Sequence, residues 1–187
     1  DNLIREGIAE DKIKYVGNIM IESIELYFDL IQRSKILSLL DVSPKKYIVA
    51  TLHRVENTDN PEILEKLLSL LGTLSKTNTI IFPLHPGTRK KISDYGLNNL
   101  LRGIKVIEPL GYLDFMKLVS ESRGIVTDSG GIQEETSHLG IPCVTLRDNT
   151  ERPITLQLGS NKLLPIGAIN IADTKEMEGH FNRTDFK

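Results

Sequence analysis

The amino-acid sequence predicts an α/β domain in which a parallel β-sheet is covered by helices on both faces. Three observations lead to this prediction. Short apolar runs rich in β-branched residues recur along the chain and are too short to be helices. Longer amphipathic stretches separate them, so strand and helix alternate. The strands are apolar throughout rather than at every second residue, which is typical of a parallel sheet buried on both sides.

The elements follow one another in a regular order. A long helix is predicted from Asn18, a capping residue, to Leu40. Five strands are predicted over residues 47–52, 79–82, 104–107, 124–127 and 142–146. Helices are predicted from Pro61 through Leu74, after residues 85–87 to near Gly96, and over residues 112–122 and 132–139. This alternation is that of a Rossmann-like domain.

The end of the chain carries a weaker signal. No firm period is present beyond Leu164, and the last dozen residues are polar and expected to fray. We treat residues 1–187 as one domain whose tail, residues 165–187, has no predicted structure. The chain lacks an initiator Met and opens on a polar helical stretch, so we expect further residues upstream.

Composition excludes several classes of protein. The formal net charge is -2, with 23 basic and 25 acidic residues, so the chain has no excess of positive charge to attract nucleic acid or an anionic membrane. No run approaches the ~18 apolar residues of a membrane helix, and the stretch DNLIREGIAEDKI at the start lacks the apolar core expected of a signal peptide. A single cysteine, Cys143, excludes a disulfide framework and favours a reducing compartment, with the cytoplasm as the default. No His or Cys spacing indicates a metal site.

The turn after the fourth strand is the strongest candidate site. It reads TDSGGIQEE and opens a helix, so Gly130 and Gly131 would let backbone approach a ligand. The helix N-terminus offers free N–H groups and Ser129 a hydroxyl, which together suit a phosphate. Glu135 lies one turn on and could reach ribose hydroxyls. The alternatives are a tight turn capped by Ser129 and a solvated first-turn carboxylate at Glu135.

Other strand ends carry candidate residues. His53 follows the first strand and could donate to a phosphate or move a proton, or be a structural hydrogen-bonding residue, because the sequence does not identify its partner. His85 follows the second strand, where a plain turn histidine is also expected. Arg147 and Arg152 follow the fifth strand and suit phosphate, or internal salt bridges with nearby carboxylates.

The third loop, EPLGYLDF, offers two aromatic rings that could contact a base. Tyr112 and Phe115 fit the core of the next helix equally well.

Five motifs together carry a family resemblance. HRVEN, PLHP, EPLGYLDF, TDSGGIQEE and RDNTERP occur in order, each after a predicted strand. From residue 1 to about 164 the chain resembles the C-terminal domain of non-hydrolysing UDP-N-acetylglucosamine 2-epimerases. Such enzymes resemble GT-B glycosyltransferases, in which two Rossmann-like domains face each other. The resemblance implies that this chain is one half of such an enzyme, with the N-terminal domain absent.

The resemblance also implies roles for individual residues. Ser129, Gly130 and Gly131 would hold phosphate, and Glu135 the ribose. The remaining implied contacts are uracil at Leu110 and Phe115, the diphosphate or sugar at Arg152, catalysis beside the diphosphate at His53, and a second, regulatory UDP-GlcNAc at Arg54 and His85.

The implied reaction interconverts UDP-GlcNAc and UDP-ManNAc without an added cofactor, by UDP elimination and re-addition. The acidic residues that handle the C2 proton would lie in the absent domain, so this chain alone is expected to be inactive. The resemblance further implies a homodimer and a role in cell-envelope polysaccharide synthesis. A GT-B glycosyltransferase, a hydrolysing 2-epimerase and a non-enzymatic nucleotide-sugar-binding module are the alternatives.

Overall fold

A computed structural model describes residues 2–183 and contains a six-stranded, all-parallel sheet. The strands lie in the order β3-β2-β1-β4-β5-β6. Every neighbouring pair is parallel, with Val49 opposite Ile81 and Ile125, for example. The strands are β1 (Tyr47–Thr51), β2 (Thr79–Pro83), β3 (Ile104–Ile107), β4 (Gly124–Thr127), β5 (Cys143–Leu146) and β6 (Asn161–Leu164). The predicted Rossmann-like fold class is therefore confirmed.

Helices cover both faces of this sheet. They are α1 (Asn2–Arg5), α2 (Ile19–Leu26), α3 (Phe28–Arg33), α4 (Ile36–Leu39), α5 (Val55–Thr58), α6 (Pro61–Leu74), α7 (Pro86–Asp94), α8 (Tyr112–Ser120), α9 (Gly130–Leu139), α10 (Pro153–Gln157) and α11 (Asp173–Phe181). Short 3-10 helices span Glu10–Lys12, Asn98–Leu101 and Ile166–Ala168. Among residues 2–183, none of these helices is long and apolar enough to cross a membrane.

Alternate residues of the strands pack into two separate hydrophobic cores, one on each face of the sheet. In β1, Ile48 and Ala50 face the core beneath α6 and α11, whereas Tyr47 and Val49 face the core beneath α8 and α9. All four are almost completely buried. Because both faces need apolar side chains, the strand is apolar without interruption, as the sequence pattern indicated.

Helix α6 shows how local signals place one of the covering helices. Asn60 accepts hydrogen bonds from the backbone N–H groups of Glu62 (2.9 Å) and Ile63 (3.3 Å), and Pro61 occupies the first turn, where its missing N–H costs nothing. The leucines of this helix then pack against the sheet, and Leu64, Leu67 and Leu71 are all 0% exposed.

The prediction of one helix from Asn18 to Leu40 is wrong. The segment forms three short helices, α2, α3 and α4, with breaks at Tyr27 and Ser34. Helix α2 packs on α9, whereas α3 packs on α8. Because the two helices pack against different partners, the chain changes direction between them. Ile24 and Ile31 are the buried anchors of these two helices. The N-cap expected at Asn18 is confirmed, since its side chain accepts from Met20 N at 3.0 Å.

Beyond Leu164, where no structure was predicted from the sequence, the chain forms helix α11, so the expected fraying is wrong for residues 176–181. Helix α11 packs on α6 and buries Met177 (0% exposed) and Phe181 (3% exposed) in the core. The Phe181 ring fills the space that Gly124 leaves open, because a Cβ at Gly124 would lie 2.3 Å from the ring. Strand β6 and helix α10 were not predicted. The last four of the residues expected to fray, 184–187, lie outside the described residues.

Candidate functional site

The centre of the sheet is a point where the chain order reverses. Strand β1 lies between β2 and β4, so the chain moves outward in one direction through β2 and β3 and in the other through β5 and β6. At such a switch point the loops after the two central strands diverge and leave a crevice at the carboxyl end of the sheet. The loop after β1 contains His53 and Arg54, and the turn after β4 contains Asp128 and Ser129.

The turn after β4 leaves the start of α9 open to a ligand. The Ser129 backbone N–H donates to Thr127 Oγ1 at 3.0 Å, which fixes the turn. The Ser129 side chain forms no capping hydrogen bond with α9. The alternative that Ser129 caps the helix is therefore not what the structure shows. The first N–H groups of any α-helix have no partner within the helix, so they and the Ser129 hydroxyl remain able to bind an anion.

The two glycines of this turn face different surroundings. A Cβ at Gly130 would lie 3.3 Å from Glu151 Oε2 and 3.7 Å from guanidinium nitrogens of both Arg147 and Arg54. A Cβ at Gly131 would instead lie 3.2 Å from Met20 Cε of α2. Gly130 thus keeps space open toward a cluster of charges, whereas Gly131 lets α2 approach α9.

The charge cluster beside Gly130 centres on Arg147. Its guanidinium, with the side chain only 11% exposed, donates to Glu151 at 2.9 and 3.3 Å. This hydrogen bond lowers the pKa of the Glu151 carboxyl and raises that of Arg147, and Arg54 and Arg152 further favour ionised Glu151. A cavity of about 130 Å³ lies alongside, lined by Arg54, Glu56, Asn57, Arg147, Asp148, Asn149 and Ile166. Two guanidinium groups therefore adjoin the start of α9.

His53 has a buried carboxylate partner that sequence reasoning did not find. Its Nδ1 lies 2.9 Å from Asp128 Oδ1, and the Asp128 side chain is completely buried while that of His53 is 46% exposed. The hydrogen bond to Asp128 is the main cause that raises the pKa of His53, against burial and the nearby Arg54 charge. Burial alone would raise the pKa of Asp128, but the hydrogen bonds from His53 and from backbone N–H groups outweigh it, and the pKa is lowered.

A second cleft brings together four of the predicted site residues. It has a volume of about 190 Å³ and is lined by Thr51, Leu52, His53, Pro83, His85, Pro109, Leu110, Phe115 and Ile132. His53 and His85 lie at this cleft with Leu110 and Phe115. The His85 ring also caps α7, because its Nδ1 accepts from Gly87 N at 3.1 Å. This cleft is mostly apolar and can accept a flat ring such as a base.

Glu135 is a buried carboxylate rather than a solvated one. The residue is 5% exposed, and no hydrogen bond to its carboxylate is found among residues 2–183, although its oxygens are not among the fully buried unpaired atoms. Burial, and then the neighbouring Glu134 charge, raises the pKa of Glu135. An unpartnered carboxylate one turn from the helix start can accept hydrogen bonds from ligand hydroxyl groups. This rules out the alternative of a first-turn carboxylate in water.

Comparison with known proteins decides the family. The model of the UDP-N-acetylglucosamine 2-epimerase family matches residues 1–178 of this chain. The chain belongs to the UDP-N-acetylglucosamine 2-epimerase family. A UDP-N-acetylglucosamine 2-epimerase of Methanococcus maripaludis is 44% identical over 98% of this chain and 52% of its own length.

Solved structures of epimerase-family members share the fold. The Methanocaldococcus jannaschii UDP-GlcNAc 2-epimerase in complex with UDP-GlcNAc and UDP matches all of this chain and 53% of its own, with 37% identity and a TM-score of 0.88. The chain therefore spans about half the length of these relatives. The Escherichia coli heptosyltransferase WaaC, at 13% identity and a TM-score of 0.54, shows the fold alone and is also matched over 48% of its length. Both matches fit a chain that has the fold of one half of a GT-B type protein.

Arg152 of this epimerase-family chain is placed differently from the alternative that the sequence suggested. Its Nε lies 3.0 Å from Glu134 Oε2 in α9, so its salt bridge is with Glu134 rather than with the carboxylate of Asp148 or Glu151. Asp148 instead accepts from Ile166 N at 2.8 Å. The salt bridge expected for the arginines after β5 is real, but Arg147 forms it with Glu151. Arg152 is instead paired with Glu134 of α9.

The structure changes the weight of two candidate residues. Asp128 directly precedes Ser129 at the end of β4, and its contact with His53 follows only from the pairing of β1 with β4. Arg147 was considered, but only the structure shows that it lies closer to Gly130 than Arg152 does. Residues 2–183 contain no group of three or more His, Cys, Asp or Glu side chains that could hold a metal ion.

Proposed function

We propose that this chain is the UDP-binding C-terminal domain of a UDP-N-acetylglucosamine 2-epimerase that interconverts UDP-GlcNAc and UDP-ManNAc. The observation that supports this most is the start of α9, where the Ser129 side chain does not cap the helix and Gly130 faces two guanidinium groups. A diphosphate carries the charge and the acceptor oxygens that such a place can bind.

The nucleotide then spans from the glycine turn into the apolar cleft. Ser129, Gly130 and Gly131 hold the phosphates, and Glu135 accepts hydrogen bonds from the ribose hydroxyls. The uracil lies in the cleft of about 190 Å³ against Leu110 and Phe115. Support for this direction comes from Glu135, whose carboxylate is unpartnered within the described residues.

His53 and Arg152 act on the diphosphate side. In the elimination, the C1–O bond to UDP breaks and its electron pair remains on the diphosphate oxygen. The C2 proton leaves to a base, and the C2–H electron pair becomes the C1=C2 bond of a glycal. His53, charged when protonated and paired with Asp128, offsets the negative charge that develops on UDP. The bases that handle the C2 proton belong to the N-terminal domain in this proposal.

The proposal includes a regulatory role for two further residues. Arg54 adjoins the charge cluster and His85 lines the apolar cleft. Both could contact a second UDP-GlcNAc, as the family resemblance implies. The whole protein is further proposed to act without an added cofactor, as a homodimer in the cytoplasm, in cell-envelope polysaccharide synthesis.

Calorimetric titration of this chain with UDP and with UDP-GlcNAc tests the nucleotide assignment. We expect Glu135→Ala and Ser129→Ala each to weaken UDP binding by about tenfold, since each removes a hydrogen-bonding group from the bound ligand. Lys175→Ala, a change at an exposed residue of α11, is the matched control and should bind UDP as the wild type does. A wild-type chain that binds no UDP would contradict the proposal.

Product analysis with the full-length enzyme separates the epimerase from its alternatives. UDP-ManNAc formed from UDP-GlcNAc supports the epimerase, free ManNAc with UDP indicates a hydrolysing enzyme, and sugar transfer to an acceptor indicates a glycosyltransferase. A binding module would form no product and would lose no turnover on His53→Ala. The chain alone should form no UDP-ManNAc in a coupled assay.

A further inference from the structure

Asp128 collects hydrogen bonds from the loop after β1. Its Oδ2 accepts from the backbone N–H groups of His53 and Arg54, both at 2.9 Å, and from Asn57 Nδ2 at 3.1 Å. Its Oδ1 lies 2.9 Å from the His53 ring nitrogen Nδ1. The carboxylate is completely buried, so it is held in one orientation by groups that only donate.

This arrangement determines which ring nitrogen of His53 carries the proton. A buried, ionised carboxylate can only accept, so Nδ1 of His53 must carry a hydrogen in the neutral as well as the charged ring. The opposite nitrogen, Nε2, then points away from Asp128, and the His53 side chain as a whole is 46% exposed.

We propose that Asp128 is the positioning residue of the site, which keeps a proton on His53 Nδ1 and thereby leaves Nε2 to exchange its proton with the leaving diphosphate. This inference rests on the proposed function for the identity of the anion. Asp128 does not touch the ligand and acts through His53. The step balances as the imidazolium donates the Nε2 proton to the diphosphate oxygen that received the C1–O electron pair, and regains it when UDP adds back.

The other histidine of the cleft has the opposite arrangement. His85 Nδ1 accepts a hydrogen bond from Gly87 N at 3.1 Å, so its neutral ring carries the proton on Nε2. Two histidines that line one cleft are therefore held in opposite tautomers by their neighbours. Because His85 lacks a carboxylate partner among the described residues, it provides an internal reference for His53.

The groups around His53 favour its protonated ring. Asp128 raises the pKa of His53 from the β4 side, and Arg54 lowers it from its own loop. His85 faces it across the apolar cleft. The rise that Asp128 causes outweighs the opposing effects, so the pKa of His53 lies above its ordinary value.

Long-range ¹H–¹⁵N correlation spectra of the imidazole rings, in ¹⁵N-labelled chain, test this inference directly. His53→Gln and His85→Gln variants assign the two rings. We expect the neutral His53 ring to carry its proton on Nδ1 and the neutral His85 ring on Nε2. A His53 ring protonated on Nε2 in the wild type would overturn the proposal without any variant of Asp128.

An Asp128→Asn variant adds a second test. An asparagine that keeps its oxygen on the backbone N–H groups presents its NH₂ group to Nδ1, so His53 should switch to the Nε2-protonated tautomer and its pKa should fall. Asn57→Ala, which removes another donor to Asp128, should leave the tautomer unchanged. Folded Asp128→Asn protein with an unchanged His53 tautomer and pKa would refute the positioning role.

Calorimetry on the same proteins separates this inference from the proposed function. Asp128→Asn should bind UDP about tenfold more weakly than the wild type at neutral pH, which corresponds to one hydrogen bond to a charged group. Wild-type chain that shows the expected tautomers but binds no UDP would remove the proposed function and the role toward a diphosphate. UDP binding with the opposite tautomer would leave the function standing and remove only the positioning role.

Discussion

The adjacent glycines of the turn allow the phosphate site to be tested with a matched pair of variants. Gly130→Ala places a methyl group 3.3 Å from Glu151 Oε2 and 3.7 Å from nitrogens of Arg147 and Arg54, in the space proposed for phosphate. Gly131→Ala places the same methyl group against Met20 Cε at 3.2 Å, on the side of α2. The two variants make the same chemical change one residue apart, and only one of them faces the charges.

The structure gives the size of the expected difference. The methyl group of Gly130→Ala keeps a phosphate oxygen away from at least one N–H or guanidinium donor, and a hydrogen bond to a charged group is worth about 1.5–3 kcal/mol. UDP binding should therefore weaken by at least about tenfold. Gly131→Ala should change the dissociation constant by less than about twofold, because no phosphate contact is removed.

Stability should not account for the difference. Neither glycine has the positive φ that would strain an alanine, and the nearest atoms, Glu151 Oε2 and Met20 Cε, are ends of flexible side chains. Alanine also favours the helix over glycine by up to about 1 kcal/mol. We expect both variants to unfold within about 1 kcal/mol of the wild type. Equal loss of UDP affinity in calorimetry for both variants, or none for Gly130→Ala, would refute the assignment of the glycine turn.

Three further predictions concern charge and packing. Glu151→Gln should raise UDP affinity severalfold in calorimetry, and less at high salt, because it removes a carboxylate from the edge of the phosphate space; unchanged or lower affinity would contradict this. Glu135→Gln should raise the melting temperature at pH 7, because the raised pKa of Glu135 means that its ionisation costs stability as the pH rises above 4.5. The gain should vanish below pH 4.5, and a gain that persists there would contradict the burial explanation. Phe181→Ala should cost about 3–5 kcal/mol in urea unfolding, since the ring packs over Gly124, and a loss below about 1 kcal/mol would show that α11 is peripheral.

The strands of the sheet centre could be predicted because their burial is uniform. Residues 124–127 were predicted as a strand with the bounds that the structure shows, and the neighbouring strands β1 and β2 were placed to within one residue. These segments are covered on both faces, which leaves a continuous apolar run in the sequence. Strand β6 was missed because Asn161 and Lys162 leave no apolar run in the sequence there, whereas β3, at the opposite edge of the sheet, is mostly apolar and was predicted over its full length.

The helices that were misjudged depend on tertiary contacts rather than on a strong local pattern. Helix α11 contains few apolar residues, but Met177 and Phe181 are four apart and fall on the face that meets the core. The three helices between Asn18 and Leu40 have helical spacing throughout, and only the positions of α8 and α9 determine where the chain bends. Neither feature can be read from the segment alone.

The candidate site shows the same division between local and distant information. The glycine turn and Glu135 lie within one short segment, so their proximity follows from the sequence. The contact between His53 and Asp128 joins residues 75 apart and depends on β1 pairing with β4. Sequence analysis could name the histidine but not its partner, because the order of strands in the sheet is set by the packing of helices that cover both faces.

The pairing of these two strands links the stability of the sheet centre to the chemistry at its edge. Thr51 and Thr127, the last residues of β1 and β4, lie opposite each other and their hydroxyl oxygens are 2.6 Å apart. Asp128 follows at once and binds the backbone of the loop after β1, so the position of His53 is fixed by the register of the buried strands rather than by the loop itself. A shift of one residue in that register would turn Asp128 to the other face and leave His53 without its carboxylate. The histidine is thus oriented by the most buried part of the fold, although its own side chain is 46% exposed.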